Sequence, residues 1–155
     1  MRLLTLLLVS AAVAAACPGQ TGPDAKSSAL PFTITISGPA EVKAGSEVDV
    51  RVKITNTSTR EVNAGAFYVD GVDTGYTYDV RDSAGNPAQK KNIVMSGSVK
   101  FVRLKPGESA EERTLVNRVF DMTRPGQYEI QLSRTVGGPK DAVVKSNKIT
   151  VTITP

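Results

Sequence analysis

From Phe32 onward, apolar and polar residues alternate with a period of two along most of the chain. Phe32, Ile34 and Ile36 share one face, with Thr33 and Thr35 on the other. Val48, Val50, Val52 and Ile54 oppose Asp49, Arg51 and Lys53. Tyr76, Tyr78 and Val80 alternate with Thr77 and Asp79, and Tyr128, Ile130 and Leu132 with Glu129 and Gln131. Ile149, Val151 and Ile153 alternate with Thr150, Thr152 and Thr154. A period of two places one face of each segment in a core and the other in water, which predicts antiparallel strands. Ala66 to Asp70 and Ser98 to Leu104 are predicted strands without a clear inward face, and Glu108 to Leu115 is another. Turn signals separate these runs, among them Gly38-Pro39, Ala44-Gly45, Ala84-Gly85-Asn86-Pro87, Lys105-Pro106-Gly107 and Arg124-Pro125-Gly126. The one helical candidate is short, Val116 to Met122. Seven to eight short strands with regular turns predict an all-β protein, a single antiparallel β-sandwich.

The segment Pro125-Gly126-Gln127-Tyr128-Glu129-Ile130 sharpens this reading. It puts a tyrosine at the start of a strand after a tight turn, the position of the tyrosine corner in immunoglobulin domains. Ile130 then stands where those domains carry their second cysteine, and Val50 or Val52 where they carry the first. The predicted fold is an immunoglobulin-like sandwich with no disulfide and an aliphatic core drawn from Val50, Val52, Ile54, Tyr128, Ile130, Leu132, Val151 and Ile153.

Several stretches in order carry a family likeness: "GPAEVKAGSEVDVRVKITNTS", "YDVRDSAGNP", "LKPGES", "VFDMTRPGQYEIQL" and "SNKITVTI". Together they resemble the immunoglobulin-like N-terminal domain found ahead of deuterolysin-type metalloproteases, and free-standing bacterial envelope domains with no assigned function. The turns Leu104–Ser109 and Pro125–Tyr128 are also similar to those of the intracellular proteinase inhibitor family. The resemblance implies a sandwich and a protease-associated or inhibitory role as one alternative. The zinc-binding HExxH of deuterolysins is absent, so protease activity does not carry over.

Ahead of the domain, Met1-Arg2 precede fourteen uncharged residues, Leu3 to Ala16. A positive start, a short apolar run and small residues predict a secretory signal peptide over residues 1–16. The run is shorter than the roughly 17–25 residues of a membrane-spanning helix. Ala14-Ala15-Ala16 before Cys17 resembles the lipobox of bacterial lipoproteins. Cys17 is the only cysteine, and an internal disulfide therefore cannot use it. Acylation of Cys17 is expected, with residues 17–31 as a lipidated cysteine and flexible tether and residues 32–155 as the domain. The expected location is the outer or cell membrane as a lipoprotein, otherwise the periplasm or medium.

Composition narrows function by subtraction. The chain of 155 residues has 19 Lys and Arg against 15 Asp and Glu, a net charge of +4, and contains neither histidine nor tryptophan. Loss of residues 1–16 removes Arg2 alone, leaving +3. The bases are spread among apolar residues, which argues against nucleic acid as a partner. Without histidine the chain lacks the commonest general base and metal ligand. The acids of Asp70-Gly71-Val72-Asp73 and Asp79-Val80-Arg81-Asp82 lack the density of a calcium loop. Glu108, Glu111 and Glu112 read as an edge that discourages strand pairing. Asn56-Thr57-Ser58 matches a glycosylation sequon but also a polar turn between strands. No catalytic residue, metal site or cofactor is expected. The expected role is a non-catalytic protein-binding or structural module of the envelope. The longest polar hairpin, Asp82 to Lys91, is its candidate contact loop, with Asp82, Asn86, Lys90 and Lys91 as contact residues.

Overall fold

A computed structural model describes residues 30–69, 72–73, 75–92, 97–136 and 142–155, with the backbone alone at 66–69 and 73. The expected signal peptide, Cys17, most of the expected tether, and Asp70-Gly71 lie outside the described residues. Twelve strands and one helical turn follow in order: β1 (Phe32–Ser37), β2 (Glu41–Lys43), β3 (Asp49–Asn56), β4 (Val62–Asn63), β5 (Ala66–Val69), β6 (Val72–Asp73), β7 (Thr77–Asp82), β8 (Gly97–Lys100), β9 (Arg103–Leu104), β10 (Ser109–Leu115), α1 (Val116–Val119), β11 (Gly126–Val136) and β12 (Ala142–Thr154).

Seven of these build an immunoglobulin-like sandwich. One sheet has the order β1-β3-β10 and the other β2-β12-β11-β7. The first strand changes sheets at Gly38-Pro39: β1 is antiparallel to β3, whereas β2 runs parallel to β12. The alternation read from the sequence sets the inward faces. Ile34, Ile36, Val50, Val52, Ile54, Val80, Tyr128, Ile130, Leu132, Val151 and Ile153 are all buried, and Ile130 is 0% exposed. Aliphatic packing at Val50, Val52 and Ile130 therefore fills the place of the inter-sheet disulfide of antibody domains. Tyr128 Oη donates to the Arg124 carbonyl at 3.1 Å, which makes it a tyrosine corner.

The other five strands form two small sheets, β4-β9 and β6-β5-β8, inserted between β3 and β7 and between β7 and β10. Here the structure corrects two expectations. Ser98 to Leu104 is two strands with different partners: β8 pairs with β5 and β9 with β4. The switch occurs at Phe101-Val102, where the Ala64 N–H donates to the Val102 carbonyl at 2.8 Å. The candidate helix Val116 to Met122 is a single turn, because Phe120 returns to extended backbone at φ −119°. Arg134 on β11 ties the insertion to the sandwich by donating to the Gly65 carbonyl, with its guanidinium 5.5 Å from the Tyr76 ring centroid.

Side-chain amides close the margins. Asn147 on β12 bonds both the N–H (2.8 Å) and the carbonyl (3.0 Å) of Ile36, clamping β1. Asn117 in α1 does the same for the Val48 N–H (2.9 Å) and the Ser46 carbonyl (3.0 Å). On the opposite margin, Tyr76 Oη donates to Glu112 at 2.7 Å and Tyr78 Oη lies 2.8 Å from Thr114 Oγ1. The sandwich thus has two ends. The N-terminal end carries the start of β1, the end of β3, the end of β11 and the start of β12. The far end carries Asp82, Gly126 and the C-terminal Thr154.

Candidate functional site

The hairpin after β7 lies at the far end. Its tip is organised by one carboxylate. Asp82 Oδ1 accepts the N–H groups of Ala84 (3.0 Å) and Asn86 (2.9 Å), and Asn86 Nδ2 donates to Oδ2 at 3.3 Å. The Asp82 backbone closes the same turn, its N–H donating to Asn86 O and its carbonyl accepting from Gly85 N–H, both at 2.9 Å. This side-chain mimicry of a turn is what aspartate does well. Gly85 supplies a φ of +81°, which other residues rarely adopt. The bond from the Asn86 N–H, with the Asn86 amide and Ala84 N–H in support, holds the Asp82 carboxyl below its ordinary pKa. Arg81 braces the tip by donating to Gly85 O at 3.1 Å and to Asp79 at 2.9 Å. Ser83, Ala84, Gly85 and Asn86 are all exposed.

The second half of the hairpin behaves differently. Ala88 N–H donates to Val80 O at 2.8 Å, then the chain crosses to α1. Lys90 bridges Phe120, Lys91 N–H donates to Val119 O at 2.7 Å, and Lys91 Nζ donates to Asn117 O at 2.9 Å. Of the four expected contact residues, Asp82 and Asn86 shape the tip. Lys90 and Lys91 form a strap fixed to the α1 region, their side chains still exposed. The sequence shows the turn chemistry of the tip. It does not show the strap, because a backbone ladder to a distant segment leaves no residue-type signature.

Beneath the hairpin is a polar cleft of 170 Å³ lined by Asp82, Pro87, Ala88, Gln89, Asp121, Arg124 and Tyr128. Thr123 donates to Asp121 through its hydroxyl (2.7 Å) and its N–H (3.1 Å), which lowers the Asp121 pKa. Burial is the main cause raising the Tyr128 phenol. The cleft therefore offers two ionised carboxylates and a neutral phenol, the equipment of hydrogen-bond recognition. A larger open groove of 540 Å³ runs along the β1–β2 crossover past Glu41, Glu47 and Asp49. Two of its three acids are already ion-paired, Glu47 with Arg118 at 3.2 Å and Asp49 with Arg113.

Among the described residues no three His, Cys, Asp or Glu side chains approach closely enough to hold a metal ion. The sequon is structural: Asn56 is 1% exposed and uses its whole amide. Its Nδ2 donates to Arg60 O (2.7 Å) and Leu104 O (2.8 Å), and its Oδ1 accepts from the N–H and hydroxyl of Ser58 (2.9 and 2.8 Å). No attachment point is left for a glycan. Glu111 and Glu112 lie on β10 at a sheet margin, and Glu112 turns inward to Tyr76.

No family model matches the chain, and no curated protein matches it. The resemblance to deuterolysin-associated and inhibitor domains therefore rests on the quoted motifs alone. Among solved structures, it is similar to the CARDB domain of a Pyrococcus furiosus protein, crystallised in complex with di-metal ions. That match has a TM-score of 0.45 and 16% identity over 79% of this chain and 87% of that one. It is also similar to part of a Pseudomonas fluorescens alkylpurine DNA glycosylase bound to DNA with an abasic site analog. There the TM-score is 0.44, with 14% identity over 81% of this chain and 31% of the enzyme. A third match is to part of a Listeria innocua β-glucosidase (TM-score 0.43, 16% identity, 80% and 16% covered). Likeness at this level recurs among chains of unrelated activity and carries no argument about function.

Proposed function

We propose that this chain is a non-catalytic envelope module, tethered to a membrane through acylated Cys17, that presents the Ser83–Asn86 tip to a protein partner. One observation carries the reading. The described chain begins at the N-terminal end, where the Leu30 and Pro31 carbonyls accept bonds from Thr57 at 2.9 and 3.1 Å. The preorganised tip lies at the opposite end, about 36 Å away along the eleven residues of β11. A tether at one end and a rigid exposed loop at the other suit a module that displays a contact away from its anchor. A loop already fixed in one conformation loses little entropy on binding. The rigidity also supports the alternative, insertion of the tip into a protease cleft as an inhibitor.

Intact mass of membrane-extracted protein tests the anchor; a mature chain lacking acyl groups rejects it. For the tip, Asp82→Ala together with Asn86→Ala is compared with the unaltered chain in capture from envelope extract and in a protease-inhibition panel. Selective loss of one captured protein supports the binding module. Sub-micromolar inhibition abolished by the substitutions supports the inhibitor. Capture that is indifferent to the substitutions, with no inhibition, rejects the tip as the contact.

A further inference from the structure

Among the residues whose side chains are described, four large apolar side chains are exposed: Leu30 at 42%, Val99 at 55%, Phe101 at 81% and Val143 at 50%. Leu30, Phe101 and Val143 lie toward the N-terminal end, whereas Val99 is on β8, in the small sheet that reaches α1 through β6. Leu30 is bonded to Thr57, next to Asn56, whose amide reaches Leu104. From there β9 leads back to Phe101, whose Cα lies beside Gly65. Arg134 bonds Gly65 from the strand position paired with Val144; Val143 is at the same level of the sandwich, its side chain on the outer face of the sheet. Scattered single exposed apolar residues are ordinary, but three of these four lying toward one end is not.

The charge at this end is equally one-sided. Arg60, Lys100, Arg103, Lys105 and Lys145 are exposed there. Of these, only Arg103 is ion-paired among the described residues, to Glu61 at 3.7 Å. The other acid near them among the described residues, Glu108, spends its carboxylate on the Lys105 N–H at 2.8 Å. Apolar side chains beside bases that, Arg103 apart, have no ion-pair partner among the described residues fit a surface with anionic groups above an apolar layer.

We infer that the N-terminal end docks on an anionic lipid bilayer, with Phe101 and Val143 entering the interface and Lys100, Lys105 and Lys145 facing the headgroups. This rests on the tethered-module reading for its setting. An acylated Cys17 would be joined to Leu30 by residues 17–29, a reach of at most about 45 Å, and would hold this end near the surface. The docking itself uses only groups in the domain. It would also set the molecule upright, with the Ser83–Asn86 tip pointing away from the membrane.

The test uses the mature chain carrying Cys17→Ser, so that acylation plays no part. It is sedimented with vesicles of phosphatidylglycerol and phosphatidylcholine, and with vesicles of phosphatidylcholine alone. Binding to the anionic vesicles is expected, weakening as salt rises. Lys100→Glu and Lys105→Glu should each weaken it about fivefold or more, the contribution of one base near such a surface. Lys43→Glu, the same charge change at the far end, should not. Phe101→Trp gives the chain its only tryptophan, and its emission should move to the blue on anionic vesicles. Equal binding to both vesicle types, or an unmoved emission, overturns the inference. An emission shift produced by envelope protein and not by vesicles overturns it in favour of a protein on this surface. Failure of Cys17 acylation would appear separately, in the mass of the unaltered chain.

Discussion

At the far end of the sandwich the turns are held by carboxylates and a buried phenol, all at or near the surface. Asp82 folds the hairpin tip, Asp121 folds the segment before Arg124, and Tyr128 pins that segment to the strand. At the N-terminal end Glu108 holds the Lys105 turn in the same way, but a buried amide, Asn56, joins the segment after β3 to β9, and the described surface outside it is apolar and basic. The same fold thus carries two kinds of loop support. A buried hub couples its loops to the core, so that damage spreads. Surface carboxylates hold each turn separately, so that damage stays local.

Asn56→Ala should break this comparison most severely. It leaves the Leu104 carbonyl and the Ser58 N–H without partners in a buried site, a loss of about 3 kcal/mol. Chemical denaturation should show the shift in midpoint with an unchanged slope. Tyr128→Phe removes one hydrogen bond while keeping the ring, so about 1 kcal/mol is expected by the same measurement. Phe101→Ser should change stability by less than about 0.5 kcal/mol, because a side chain 81% exposed has little packing to lose. A larger loss would make Phe101 a structural residue. The smallest effect is that of acid on the hairpin tip. The Asp82 pKa is lowered on folding, so the support it gives is complete above the ordinary value of 3.8 and is lost only as pH falls through the lower folded value. The Ala84 and Asn86 amide resonances should stay fixed from pH 7 to 4 and move below that, without global unfolding.

The sandwich was legible in the sequence because a period of two survives wherever one sheet face is buried. Val48 to Ile54 and Tyr128 to Leu132 read directly as core strands, and Pro125-Gly126-Gln127-Tyr128 as the corner. The insertion was less legible. Between Ser98 and Leu104 the alternation slips at the adjacent apolar pair Phe101-Val102, where the strand changes partner, but such a slip reads equally as a bulge within one continuous strand. The asparagines were opaque for a related reason. Asn56 looks like a glycosylation signal, and nothing in the local sequence marks Asn117 or Asn147. Yet each bonds backbone far away in sequence, 111 residues in the case of Asn147 and Ile36. At the candidate site, Asp82, Gly85 and Asn86 announced a turn, but the strap from Lys91 to α1 depends on a tertiary approach that local chemistry does not encode.

The placement of β1 has a mechanical consequence. Six residue pairs join it to β3 along its length, and Asn147 grips Ile36 from the other sheet. A pull on the chain at Leu30, opposed by a partner held at the far-end tip, runs parallel to these strands. Such a load falls on the β1–β3 ladder in shear, so that its bonds resist together and do not open one after another as they would under a pull across the sheet. If residues 17–29 are the tether proposed above, the first strand is the splice between cable and body, and the asparagine clamp sits beside it as a rivet.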